Sequence, residues 1–304
     1  MESESKPESN VLGVIAGGGA MPLMVVRNAK RAGQRVVVVG IRGWADPCLA
    51  ELADRFYWNG IGKLGRSIRL LLREDARRAI LAGSVTKSDM YGRFRILRHL
   101  PDLETLKLWF LRVPDKRTDS ILTAVADIMA ERGIHMEPCI KYCMDSMARE
   151  GVFTRSRPTA GQLRDMAFGW PLAKEMGRLD IGQGIAVKEQ EVIAVEAIEG
   201  TDRMIERAGR LCRSGGWMLI KVAKPNQDMR FDVPTIGPDT IENLKQNGAR
   251  GLVIEAEKTF VVDKDKVMEL ADRYGITIVA CKDKAPALDP SDEPPAGGAP
   301  FPSQ

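Results

Sequence analysis

Short apolar runs alternate with polar, helix-periodic stretches over the first 140 residues. VLGVIAGGG, RVVVVGI and RAILAGS are nearly continuous in apolar side chains, the pattern of strands buried on both faces. NAKRAGQ and IGKLGRSIRLLLRED lie between or before them and have helical periodicity. That order predicts a parallel, doubly wound sheet. KRTDSILTAVADIMAERGI then predicts an amphipathic helix, capped by Thr118 or Asp119 and stopped at Gly133.

The second half has a different rhythm. QGIAVKEQEVIAVEAIEG predicts two β runs around a polar turn at Lys188–Gln190, and TDRMIERAGRLC a helix capped by Thr201. GGWMLIKVAKP and ARGLVIEAEKTFVV predict further strands, VDKDKVMELADRYG a helix capped by Asp263, and ITIVAC a last strand. The fold class expected is α/β, with a Rossmann-like N-terminal domain on a parallel sheet and a mixed α/β C-terminal domain. The expected boundaries are a polar lead-in at 1–10, a first domain at 11–145, a linker at 146–160 and a second domain at 161–285. The tail at 286–304 is rich in Pro, Gly and acids and cannot bury a core. A ligand pocket is expected between the two domains.

Composition narrows the classes. The 304 residues are 44% hydrophobic and 28% charged, which fits a globular chain, and no apolar run approaches the ~20 residues of a membrane span. Membrane contact is therefore expected to be peripheral. MESESKPESN has no apolar core and does not read as a secretory signal. The formal net charge of +4 suits anionic substrates or an anionic membrane surface, but its basic residues are too scattered for nucleic acid. Cys48, Cys139, Cys143, Cys212 and Cys281 have unrelated spacings and read as reduced cytosolic thiols.

The glycines of VIAGGGAMP follow the first strand. Gly17, Gly18 and Gly19 allow a tight bend, and the helix they open offers N–H groups to a phosphate. A plain strand-to-helix turn would use the same residues. Pro22 occupies the third-glycine position of a dinucleotide fingerprint, and RVVVVGIRG lacks the acid that holds a ribose, so an NAD-dependent oxidoreductase is disfavoured. AGSVTKSDMYGR places Ser84 and Lys87 after the third strand, where open sheets bind ligands; Lys87 suits an anion there and is otherwise a solvated lysine. His135, Cys139 and Cys143 lack a common zinc spacing and a fourth partner, and with only two histidines no His-rich dinuclear centre can be built. Oxygen ligands remain, and they favour Mg2+.

Acids concentrate in the second half at Glu196, Glu199, Asp202, Asp228, Asp232 and Glu255, a pattern that ordinarily means solvated faces and helix caps. KPNQDMRFDVPTIG differs in kind. Pro225 and Pro234 stiffen it, which would fix the carboxylates of Asp228 and Asp232, and Arg230 between them suits a phosphate oxygen. This loop is the candidate metal–phosphate site.

Several stretches together resemble the UDP-2,3-diacylglucosamine pyrophosphatases of the LpxI type, enzymes of lipid A biosynthesis. They are VIAGGGAMP, GWADP, AGSV, TDSILTAVADIMAERGI, RLDIGQGIAV, AVEAIEGTDRMI, KVAKPNQDMRFDVPTIG and IEAEKTFVVDKDKVMELAD, in order over roughly residues 11–285. The resemblance implies a magnesium-dependent hydrolase that cleaves the diphosphate of UDP-2,3-diacylglucosamine to UMP and 2,3-diacylglucosamine 1-phosphate, lipid X. It implies two domains clasping the substrate. The acid of RxDxPTIG falls on Asp232, which would hold magnesium or orient the water. Asp228 matches a position where the family also carries Glu. The family's Gly-Asp-Asp-Ala run is Arg117-Thr118-Asp119-Ser120 here, so only Asp119 carries over as a ligand.

Glu196 and Glu199 are the further metal candidates implied, beside Thr201 and Asp202 as substrate contacts. Arg230, Lys224 and Lys87 would neutralise phosphate charge, with Gly17–Gly19 cradling one end of the substrate. The Leu, Trp and Phe of HLPDLETLKLWFLRV read as an amphipathic core helix or as an apolar surface for the acyl chains. The partners implied are this substrate and the cytoplasmic surface of the inner membrane, with a homo-oligomer open. A non-catalytic binder of nucleotide sugars or anionic lipids is the alternative function.

Overall fold

The computed structural model describes residues 10–85, 101–113, 118–225 and 233–283; the side chains of Thr118 and Asp119 lie outside that description. Two compact units divide the chain, one of the residues up to Met147 together with 226–235, the other of Ala148–Pro225 together with the residues from Ile236 on.

In the first unit, β1 (Val11–Ala16), β2 (Arg35–Ile41), β3 (Arg55–Asn59), β4 (Arg78–Ala82) and the two-residue β5 (His135–Met136) form one sheet in the order β3-β2-β1-β4-β5. All four pairings are parallel, so the doubly wound order expected from the apolar runs is present. β3 is the strand the apolar pattern does not predict, because RFYWN is short and only Asn59 in it is buried. Helices α1 (Met21–Arg31), α3 (Leu64–Arg73) and α5 (Thr118–Glu131) lay apolar faces on the sheet, with the short α2 (Leu49–Leu52) beside them. Ile68 and Leu71 of α3 and Ile128 and Met129 of α5 share a core with Val37 and Val39 of β2.

Asp102 caps α4 (Leu103–Lys107) by accepting the Thr105 N–H at 3.0 Å, and a π-helical turn at Leu108–Arg112 follows. Leu108 and Val113 of this apolar stretch are buried, while Phe110 and Leu111 are 75% and 77% exposed. The expectation of a core helix is met in part, since Leu108 and Val113 join the first unit's core while the other described apolar side chains stay half-buried or exposed.

In the second unit, six strands run in the order β6-β13-β11-β9-β7-β8. They are β6 (Gly151–Val152), β7 (Gly184–Lys188), β8 (Glu191–Val195), β9 (Met218–Lys221), β11 (Gly251–Glu255) and β13 (Thr277–Cys281). The central β9, β11 and β13 are parallel, flanked by antiparallel β6 on one side and the β7–β8 hairpin on the other. β6 falls inside the stretch expected to be a linker. Glu189 and Gln190 both have left-handed φ, the requirement of a two-residue hairpin turn, at the expected place. Thr235–Ile236 (β10) and Phe260–Val261 (β12) form a separate short ladder.

Strand alternation sorts this sheet's side chains onto two faces. Leu219, Leu252, Ile254 and Ile278 meet α7 (Thr201–Leu211), α8 (Pro238–Gln246) and α9 (Lys264–Tyr274) on one face. Met218, Ile220, Val253 and Val279 meet α6 (Ala160–Arg178) on the other. Gly169 of α6 has no room for a Cβ, which would stand 2.4 Å from the Ile220 side chain, so helix and sheet approach closely.

Two helix starts depart from expectation. The N-cap of α7 is Gly200, at φ 83°, and not Thr201, which is the first helical residue. Asp263 does sit at the N-cap of α9, but in a left-handed conformation and without a side-chain capping bond.

The turns after β1 and β4 meet in a tight backbone contact. Gly17 N–H donates to the Ala82 carbonyl at 2.8 Å, Gly18 N–H to the Ser84 carbonyl at 2.8 Å, and Ser84 N–H back to the Gly18 carbonyl at 3.0 Å. A Cβ on Gly83, which has φ +85°, would stand 2.4 Å from the Gly18 carbonyl oxygen and 2.8 Å from Pro22. Gly19, at φ +87°, has open space around it. Gly83→Ala should therefore cost about 2–4 kcal/mol and Gly19→Ala only about 1–2. Urea unfolding of both variants checks this, and equal losses would contradict it.

Candidate functional site

The glycine turn spends its first two amides internally. Gly17 and Gly18 are engaged by the β4 loop as described, which leaves Gly19, Ala20 and Met21 at the start of α1 with N–H groups making no hydrogen bond to the described residues. Pro22 has no N–H to add. Ser84 lies against this turn through its backbone, and its side chain is exposed. The expected phosphate cradle thus reduces to the Gly19–Met21 corner, where Gly19 and Ala20 are exposed and Met21 is buried. Lys87 lies outside the described residues, as do Asp228, Arg230 and Asp232; Asp119 is described in backbone only.

In the second unit the charged residues gather at one edge of the sheet. β9 and β11 end there with Lys221 and Glu255, and the residue after β8 is Glu196. Glu196 and Lys221 share the α7 face with Ala194 and Leu219 by alternation. Glu196 is buried, its backbone N–H bonded to the Gly184 carbonyl at 2.8 Å and its side chain in a recess only glycine leaves open. A Cβ on Gly184 would stand 2.6 Å from its Oε2. The Thr201 hydroxyl donates to that same oxygen at 3.0 Å, which is what Thr201 does in place of capping its helix.

Burial pushes the Glu196 carboxyl above the ordinary glutamate value, against the lowering effect of Lys221, the Thr201 bond and Lys224. For Glu199, burial acts in the same direction. It is outweighed by hydrogen bonds from its own backbone N–H and Arg207, and the carboxyl lies below its ordinary value. The Arg207 guanidinium reaches Glu199 at 2.5 Å, and Glu199 Oε2 also accepts the Ala197 N–H at 3.2 Å. Asp202 is exposed in the first turn of α7, and its carbonyl accepts from Asn243 at 3.2 Å. Lys224, three residues past β9, reaches Asp180 at 2.6 Å.

The structure therefore brings Glu196, Thr201, Lys221 and Lys224 to one sheet edge, while Glu199 is turned to Arg207. Among the described residues no three His, Cys, Asp or Glu side chains come together as a divalent-cation centre requires. His135 is exposed on β5, and Cys143 is buried, its thiol pushed up to about 12 by burial and then by Cys139. None of the five cysteines forms a disulfide.

The same edge holds residues that the sequence does not single out. Glu255, read from sequence as one acid among solvated ones, is 1% exposed and accepts from Lys174 at 2.9 and 3.0 Å, from Lys258 at 2.8 Å and from the Ala223 N–H at 2.8 Å. The available signal is its place as the last residue of the buried run GLVIE, where a charge must find partners.

A raised carboxyl stabilises the fold fully at acid pH and loses that contribution as pH climbs through its folded value. Glu196→Gln removes this loss. The melting temperature of the variant should rise relative to wild type between pH 4 and 7, and a constant difference across that range would refute the assignment.

The chain matches the LpxI N-terminal domain over residues 11–146 and the LpxI C-terminal domain over residues 149–279. A curated relative from Caulobacter vibrioides, named UDP-2,3-diacylglucosamine pyrophosphatase LpxI, is 34% identical over 293 residues, covering 93% of this chain and 99% of that one. Among solved structures, the biotin carboxylase domain of a thermophilic 2-oxoglutarate carboxylase aligns with a TM-score of 0.26 and 14% identity, over 67% of this chain and 32% of that one. The biotin carboxylase subunit of a pyruvate carboxylase aligns at 0.24 and 15%, over 67% and 41%. The chain spans less than half of either structure, and likeness of that degree carries no argument. With both domains matched in order and a relative aligned nearly end to end, the chain belongs to the LpxI family.

Proposed function

We propose that the protein is a UDP-2,3-diacylglucosamine pyrophosphatase of lipid A biosynthesis, which adds water across the diphosphate to give UMP and 2,3-diacylglucosamine 1-phosphate. The observation that carries this reading is the end-to-end match to the curated Caulobacter enzyme of that name. The charge at the second sheet's edge supports it. Cleaving a diphosphate is chiefly a matter of positioning and of neutralising phosphate oxygens, and lysines collect where the parallel strands end.

Magnesium is part of the proposal. When bound, it would neutralise phosphate oxygens. Among the described residues Glu199 pairs with Arg207 and Glu196 is buried, and both stay candidates for the ion's shell. We assign the ion to Asp232 and Asp119, with Asp228 and Arg230 beside the substrate.

The substrate is a lipid, and we place the protein in the cytoplasm at the inner-membrane surface. No helix among the described residues is long and apolar enough to cross a membrane. The exposed Leu103, Phe110 and Leu111 of α4 and its π turn would meet lipid or acyl chains.

Release of UMP from UDP-2,3-diacylglucosamine should require a divalent cation, stop with EDTA, and fall by at least about 10²-fold in Asp232→Ala. No release from folded wild type under any divalent ion would leave a binding protein in place of an enzyme. In a second measurement, Phe110→Ser/Leu111→Ser should sediment less with vesicles of anionic phospholipid than wild type. Equal sedimentation would remove this turn from the lipid contact.

A further inference from the structure

Strand alternation places Glu255 on the same face as Val253, toward α6, and so on the opposite face from Glu196 and Lys221. There it meets Lys174 from α6, Lys258 from the turn after β11, and the Ala223 N–H from the loop after β9. A buried carboxylate must be neutralised and its lone pairs filled. The Ala223 amide and the two-pronged contact of Lys174 already do both. Lys258 is therefore surplus to what Glu255 needs, and the cluster carries a net positive charge.

The ammonium groups are not shut in with their partner. The Lys174 and Lys258 side chains are 30% and 49% exposed, against 1% for Glu255. Each ammonium has three N–H donors; among the described residues Lys174 spends two on Glu255 and Lys258 one, so three remain there. Both bind the same Oε1, which brackets them closely and fixes their spacing. Their position, past the carboxyl ends of β9 and β11, is where an open parallel sheet presents its ligand.

We infer that Lys174 and Lys258 form a paired-ammonium site for a phosphoryl group, with Glu255 as the positioning residue that holds the pair. The inference rests on the reading above, in that the phosphoryl group belongs to the substrate's diphosphate. Glu255 touches no substrate. It keeps the two flexible lysine side chains at one spacing, so that little of their freedom is lost when the anion arrives.

The test uses the full-length protein with inorganic pyrophosphate, titrated calorimetrically, beside steady-state release of UMP. Lys258→Met leaves Glu255 paired with Lys174 and should keep its fold. Lys174→Met is made together with Glu255→Gln so that no carboxylate is stranded. Each should weaken pyrophosphate binding by about 10- to 100-fold, the worth of one charge-assisted contact, and raise KM more than it lowers kcat. Lys258→Arg should recover part of the affinity. Lys266→Met, which removes an exposed lysine paired to Glu269, should change nothing. Unaltered pyrophosphate affinity and KM in both lysine variants, or no pyrophosphate binding by wild type, would reduce the cluster to a tie between α6 and the sheet. Weakened pyrophosphate binding in the variants with no UMP release from wild type would keep the anion site and overturn the reaction instead.

Discussion

A carboxylate at 1% exposure cannot remain charged without partners, and the placement of Glu255 sets much of the second unit's edge. Leaving such a charge unpaired costs several kcal/mol, more than most single contacts supply. Its oxygens draw one lysine from α6, one from the turn after β11 and an amide from the loop after β9. Three separate chain segments thereby meet at one point. The loop that leads into KPNQDMRFDVPTIG starts beside that point, at Ala223 and Lys224. The register of a single strand thus governs the starting position of the segment most rich in candidate chemistry.

The two faces of this sheet hold charge in different ways. Toward α7, Glu196 sits in a recess that two glycines leave open, with one hydroxyl on it and its ionised form disfavoured by burial. Toward α6, Glu255 is saturated by donors. One carboxyl accepts a single hydroxyl hydrogen bond, and the other is held by four. The division follows from alternation along β8 and β11 and needs no special backbone.

Much of the architecture was legible because buried parallel strands announce themselves as apolar runs. β1, β2, β4 and the β7–β8 hairpin lie where those runs predict. β3 escapes because its side chains are mostly half exposed. α6 escapes because Gly169, Trp170 and Pro171 interrupt its pattern, although Thr159 and Gln162 form a capping box at its start. The helix matters, since it brings Lys174. At the site, acid and lysine types could be read from sequence, but not which were buried. Glu196, Glu199 and Glu255 look alike in the chain, and burial and partners give them three different states. Thr201 shows the same limit, because its hydroxyl goes to Glu196 and Gly200 takes the cap.

The reciprocal bonds between Gly18 and Ser84 have a mechanical consequence. They fasten the turn after β1 to the loop after β4, and Gly83 is threaded so closely between Gly18 and Pro22 that neither segment has slack. The two segments form a single rigid bracket. The position of the Gly19–Met21 corner is thereby set by the end of β4 as much as by the end of β1.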